Sequence, residues 1–241
     1  MNTYSPPSSF QILPPVIKNL LIINILFFVA TYVLQKANII NLNYYLALFH
    51  WSSPLFKPWQ IITHIFMHGS LSHLFVNMFA LWMFGTTIEN YMGSKRFLIY
   101  YIICGLGAAL CYSLVFTWDH AKELAWFNSI PKDTKLELIH QALSAQAVPV
   151  NMFPSITPML GASGAVMGVL FAFGYLFPNR LIYIYLLIPI KAKYLVAIYA
   201  AIELILGIAN SPNDTVAHFA HLGGMLFGFL LFKFWKIPYR K

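Results

Sequence analysis

Six apolar stretches, each close to the length that crosses a bilayer, run through this chain of 241 residues. A spanning helix takes about 20 mostly apolar residues, and the runs fall near 16–34, 71–90, 97–118, 163–177, 194–209 and 216–235. Backbone in hydrocarbon must satisfy its own hydrogen bonds, so runs of this kind become helices. Only 9% of the residues are charged and 59% are hydrophobic, whereas soluble globular chains carry about 25% charged residues. Soluble, disordered and collagen-like classes are excluded on those figures. The expectation is an all-α membrane protein, a six-transmembrane-helix bundle forming a single membrane domain over 1–241. The stretch 181–190 is also apolar, but Pro189 and the pair Lys191 and Lys193 set it apart as a connecting segment packed at the interface.

The basic excess, a net charge of +8, is dispersed between the apolar runs, with no cluster denser than Lys95-Arg96 or Arg240-Lys241. Nucleic acid is therefore not an expected partner; the lipid bilayer is. Lys18, Lys95, Arg96, Arg180, Lys191, Lys193, Lys233, Lys236, Arg240 and Lys241 fall on one side of the six runs, against Lys36, Lys57, Lys122, Lys132 and Lys135 on the other. The positive-inside tendency then puts both termini in the cytoplasm, and the expected location is a bacterial plasma membrane. The N-terminal tail has neither a basic n-region nor a clear cleavage site, so the first run reads as a retained anchor. Cys104 and Cys111 are too far apart on one helix for a disulfide between them. The long third loop, 119–160, carries Leu136, Ile139 and Leu143 at helical spacing.

Polar side chains in apolar runs are costly, and three groups of them stand out. Ser163 lies at a helix start among Gly161, Ala162, Gly164 and Ala165, which leave its hydroxyl open. A membrane serine commonly back-bonds to its own helix, but here free N–H donors of the helix start lie alongside it. Gly164 and Gly168, and Gly224 and Gly228, form small-residue faces that permit close helix approach. If those faces meet, His221, three residues before Gly224, comes to a depth similar to that of Ser163. Ordinary helix packing would explain either motif alone. His73 and Asn77 share one helical face and are both able to donate to an oxyanion, or to bond a neighbouring helix. His64, His68 and His73 are close in sequence, yet no His-Glu-x-x-His occurs and no acid accompanies them, so no metal is expected.

Taken together, these residues resemble the rhomboid intramembrane serine proteases. Gly161-Ala-Ser163-Gly164 is similar to the family's nucleophile motif, and Ala220-His221-Leu-Gly-Gly224-Met-Leu-Phe-Gly228 to its histidine motif. His73-x-x-x-Asn77 matches its oxyanion pair, and His64 and His68 its first-loop pattern. The resemblance implies a serine endopeptidase with a Ser163–His221 dyad and His73 and Asn77 stabilising the oxyanion. Gly161, Gly164, Gly168, Gly224 and Gly228 would provide the packing that supports the site. It further implies membrane-protein substrates with a transmembrane segment, no cofactor, and no acid orienting the histidine. Asp214 is in a loop and Glu203 is mid-span, where it is either functional or bonded to a neighbouring helix. His218 competes with His221 as base, but only His221 stands three residues before Gly224. Two positions depart from the family pattern: Gln60 stands where many members have Arg, and Met167 where some have Tyr. A non-catalytic relative binding transmembrane clients, and a transporter, are the alternative readings. The sequence does not fix an oligomeric state.

Overall fold

The first long helix, α1 (Pro15–Lys36), opens on a proline, whose missing N–H is harmless in a first turn. The donors that follow are met from a distant part of the chain. Oε1 of Glu89 accepts the N–H of Val16 at 3.0 Å, and Oε2 accepts that of Ile17 at 2.8 Å. Ser94 Oγ donates to the same carboxylate at 2.6 Å. One buried acid thus ties the start of α1 to the end of α2 (Leu71–Met92) and the start of α3 (Ser94–Asp119). A carboxylate at a helix N-terminus also complements the helix dipole. The structure, a computed structural model, describes residues 10–144, 158–184, 187–209, 216–237 and 239.

After α3 come two shorter helices, α4 (Ala121–Ser129) and α5 (Lys132–Ser144), then α6 (Ser163–Leu176), α7 (Ala192–Ala209) and α8 (His218–Phe234). The helices α1, α2, α3 and α7 are long and apolar enough to cross a membrane; α6 and α8 are apolar but only 14 and 17 residues long. All six expected runs are therefore helical, four of them at spanning length. At 1.5 Å per residue α6 is about 21 Å long, short of the roughly 30 Å hydrocarbon thickness. The molecule is a mainly helical membrane bundle.

Two local features bear on the sequence expectation. The segment after α6 is an antiparallel hairpin, β1 (Leu181–Ile184) with β2 (Ile188–Lys191), in which Leu181 pairs with Lys191 and Ile184 with Ile188. Its β-branched isoleucines favour extended backbone over another helical turn. In α5 the helical spacing holds, and Ile139 is buried against Phe127 while Leu136 is exposed. The side chain of Leu143 and the loop residues 145–157 lie outside the described residues, as does Asp214.

The centre of the bundle is the crossing of α3, α6 and α8. A methyl on Gly224 would collide with the carbonyl of Gly164, and one on Gly168 would meet the carbonyl of Gly224 at 3.0 Å. Gly164 also abuts Ala108 of α3 and lies near the carbonyl of Ala220. Gly228 faces α3 instead of α6: a methyl there would strike the Tyr100 hydroxyl and sit 3.4 Å from Cys104 Sγ. That hydroxyl donates to the carbonyl of Gly168 at 2.8 Å, which satisfies a buried acceptor. Around this crossing Phe97, Tyr100, Tyr101, Leu176 and Phe232 are fully buried, whereas Phe75, Val76, Phe79 and Trp82 of α2 are exposed, as befits a lipid-facing surface.

The loop before α2 is held by a neutral amide. Gln60 is fully buried, and its Oε1 accepts the N–H groups of Lys57 at 3.0 Å and Phe49 at 3.4 Å. Its Nε2 donates to the carbonyl of Leu55 at 3.1 Å and reaches those of Tyr44 and Tyr45 at 3.5 Å. The loop is therefore held by hydrogen bonds without charge at the position where the sequence departs from the resembled pattern. His64 is buried beside it, with Nδ1 2.9 Å from the Gln60 carbonyl. The loop in turn fixes the strand of chain entering α6, through a two-way bridge between Leu48 and Met159 at 2.8 Å and a bond from Gly161 N–H to the His64 carbonyl at 3.0 Å.

Replacing Gly224 by Ala should destabilise the fold by at least about 1–3 kcal/mol, because backbone cannot yield to the added methyl. Gly69→Ala, whose methyl would meet only Leu160 Cδ1 at 3.6 Å, should be near neutral. Thermal unfolding in detergent, followed by circular dichroism, compares the two. A pH dependence is expected as well. Burial pushes the imidazoles of His64 and His68 down to about 4 from 6.5. Histidines lowered in this way stabilise the fold only while neutral, so their contribution is complete above pH 6.5 and is lost as pH falls toward 4. The Tm should decline through that window, and the slope should shrink when both are replaced by Gln.

Candidate active site

Ser163 is the first residue of α6, with Ala162 as its N-cap, and the helix's own ladder begins only with Val166 N–H on the Ala162 carbonyl at 2.9 Å. The N–H groups of Ser163, Gly164 and Ala165 therefore precede that ladder, as in every helix start. Ahead of them Gly161 has φ +125°, a conformation that side chains rarely adopt. Gly161 thus acts through its backbone, before the helix, and not through helix-to-helix packing. A methyl on it would meet His73 Nε2 at 2.9 Å and Ser163 Oγ at 3.7 Å. Both polar atoms consequently face the same glycine.

His73 lies in the first turn of α2, where the Ser70 hydroxyl caps the helix by accepting the His73 N–H at 3.1 Å. Its ring meets that of His68 edge-on, with centroids 5.1 Å apart. Both ring nitrogens of His68 are buried without a hydrogen-bond partner among the described residues. Asn77, one turn into the helix, donates from Nδ2 to the His73 carbonyl at 2.9 Å. That uses one of the two amide hydrogens and fixes the amide's orientation.

His221 sits in the first turn of α8, directly after Ala220, whose carbonyl would lie 3.4 Å from a methyl on Gly164. The glycine crossing thus determines how near α8 brings its histidine to α6. Ser163, His221, His73, Asn77, His218 and Met167 all line one cavity of 1260 Å³. Its remaining walls include Val76, Ala80 and Phe84 from α2, Tyr112 and Phe116 from α3, and Leu195, Tyr199 and Leu206 from α7. His73 and His221 are within electrostatic range of each other. Among the described residues no hydrogen bond joins Ser163 to His221; contacts of this kind are often long without substrate and tighten in the complex.

Sequence reasoning left His221 with no acid behind it, and here the structure differs. Glu203, buried on α7, directs Oε2 to Nδ1 of His218 at 2.6 Å and Oε1 to Nδ1 of His221 at 3.0 Å. The first contact is a formed hydrogen bond; the second has the distance of one without its straight geometry. The signal available in the sequence was an acid inside an apolar run, which is kept only where a partner meets it. Its partner belongs to another helix, and spacing along one helix cannot reveal that. No group of three or more His, Cys, Asp or Glu among the described residues is arranged to hold a metal ion. An open hydroxyl at a helix start, imidazoles in the same cavity and free N–H donors beside them are the components of nucleophilic acyl transfer.

Comparison with known proteins bears on these elements. Residues 55–235 match the model of the Rhomboid domain. Rhomboid protein 1, mitochondrial, of Saccharomyces cerevisiae is 30% identical over 171 residues, 71% of this chain and 40% of that protein. RHOMBOID-like protein 12, mitochondrial, of Arabidopsis thaliana is 31% identical over 169 residues, 68% of this chain and 42% of that protein. The rhomboid protease GluP of Bacillus subtilis is 27% identical over 172 residues, 71% of this chain and 25% of that protein. This chain thus spans less than half the length of these curated relatives. Two of the three are mitochondrial, which does not favour a bacterial plasma membrane over an organelle. The domain match covers well over half of the sequence and includes Ser163, His221, His73 and Asn77, and the chain belongs to the rhomboid family.

Proposed function

We propose that the chain is an intramembrane serine endopeptidase that cleaves transmembrane segments of membrane proteins, with Ser163 as nucleophile and His221 as general base. The observation that carries this reading is the shared cavity of Ser163, His221, His73 and Asn77 within an apolar helical bundle, open toward exposed Val76 and Tyr199. A family that contains a protease, GluP of Bacillus subtilis, supports it. Substrate helix must unwind to expose a peptide bond, and unwound backbone is tolerated at membrane depth only where it lines a polar cavity. The basic excess assigns both termini to the cytoplasmic side, or its equivalent in an organelle. The partners are then the bilayer and transmembrane-segment substrates, and the reaction needs no cofactor.

The chemistry follows from the side chains. Ser163 Oγ attacks the scissile carbonyl carbon while its proton passes to Nε2 of His221. The resulting oxyanion is met by the Ser163 N–H together with the His73 ring and the remaining amide hydrogen of Asn77. As the C–N bond breaks, His221 returns the proton to the departing amine and Ser163 keeps the acyl group. Water then attacks that ester with His221 again as base, releasing the carboxylate product and restoring the serine.

Reconstituted in liposomes with a membrane protein carrying one transmembrane segment, the wild-type chain should cleave it and Ser163→Ala should not. Removing one oxyanion donor, by His73→Ala or Asn77→Ala, should slow turnover by roughly 10² to 10³. Cleavage by Ser163→Ala at the wild-type rate would overturn the assignment.

A further inference from the structure

We infer that Glu203 is a positioning residue for His221, held in place by His218, so that serine, histidine and carboxylate form a relay in place of an unsupported dyad. The inference rests on the endopeptidase reading above. On α7 only Ala192 and Glu203 are buried, while Ile198, Ile202, Ile205 and Ile208 are exposed. The single acid of the helix therefore points inward, at the first turn of α8. His218 and His221 are three residues apart on that turn and present Nδ1 to the two oxygens of one carboxylate, at 2.6 and 3.0 Å.

A buried carboxylate is stable only when its charge is met, and here two imidazoles meet it. The shorter, formed bond goes to His218, which makes His218 the anchor and leaves the second oxygen for His221. An Nδ1–H directed at a carboxylate leaves Nε2 of His221 with its lone pair, the state a general base requires. When Nε2 takes the serine proton, the imidazolium gains an anion 3.0 Å away, and the bent contact can straighten into a charge-assisted bond. No proton needs to reach Glu203. The titratable groups around His221 are Glu203 on α7, His218 on its own helix and His73 on α2, with Asp119 and His120 of α3 lining the same cavity.

The test uses the full chain in liposomes with the same transmembrane substrate. Glu203→Gln should lower kcat by roughly 10²-fold with KM little changed. Glu203→Asp should recover part of the rate, and His218→Gln should lose part of it. A Glu203→Gln protein with wild-type kcat, beside an inactive Ser163→Ala, would overturn the inference and leave the endopeptidase reading intact. Activity in Ser163→Ala would sink that reading instead. Nitrogen NMR of ring-labelled histidines needs no Glu203 variant: in the neutral wild-type protein the His221 proton should be on Nδ1, and a proton on Nε2 would equally overturn the relay.

Discussion

The contact on which the rest of this structure depends is backbone against backbone: Gly164 of α6 and Gly224 of α8 meet without a side chain between them. Apolar side chains gain little by leaving lipid for one another, so helices in a membrane associate through close packing and interhelical hydrogen bonds. The glycine crossing supplies the first, and the Tyr100 bond to the Gly168 carbonyl supplies the second. Ser163 immediately precedes one of these glycines and His221 stands three residues before the other. The geometry that stabilises the bundle is thus also the geometry that brings Ser163 and His221 to one cavity.

Polar groups inside the bundle each answer a specific need. Glu89 caps a helix that starts with proline and has no acid of its own in the first turn. Gln60 gathers five backbone groups in the loop that clamps the approach to Ser163. Glu203 joins α7 to α8 through two histidines. Each is buried, and Glu89 and Glu203 are satisfied by partners on other helices while Gln60 is satisfied within its own loop. The polar interior and the catalytic proposal are therefore one design: in that proposal, water and a peptide bond enter only where fixed donors and acceptors await them.

Much of this was legible in the chain itself. Apolar runs gave the helices to within a few residues, because a bilayer leaves the backbone no alternative. Gly164, Gly168 and Gly224 announced a close crossing by their spacing, although Gly228 proved to face Tyr100 and Cys104 of α3. What stayed hidden involved either φ angles or partners on other helices. Gly161 looked like a packing glycine and lies ahead of the helix at φ +125°, beside His73. Glu203 was expected to be functional or bonded to a neighbouring helix, but its partners could not be named, because the two histidines that meet it follow a loop and another helix start. The stretch 181–190 looked like a plain connector, and its isoleucines form a hairpin.

The most direct test of the central claim is covalent. A fluorophosphonate probe reacts with a serine only when a neighbouring base activates it and donors stabilise the adduct. Incubated with the wild-type protein in membranes and mapped by mass spectrometry, the probe should modify Ser163, and the label should vanish in His221→Ala. Labelling that persists in His221→Ala, or no modification of Ser163 in the wild type, would contradict a serine activated by the histidine across the glycine crossing.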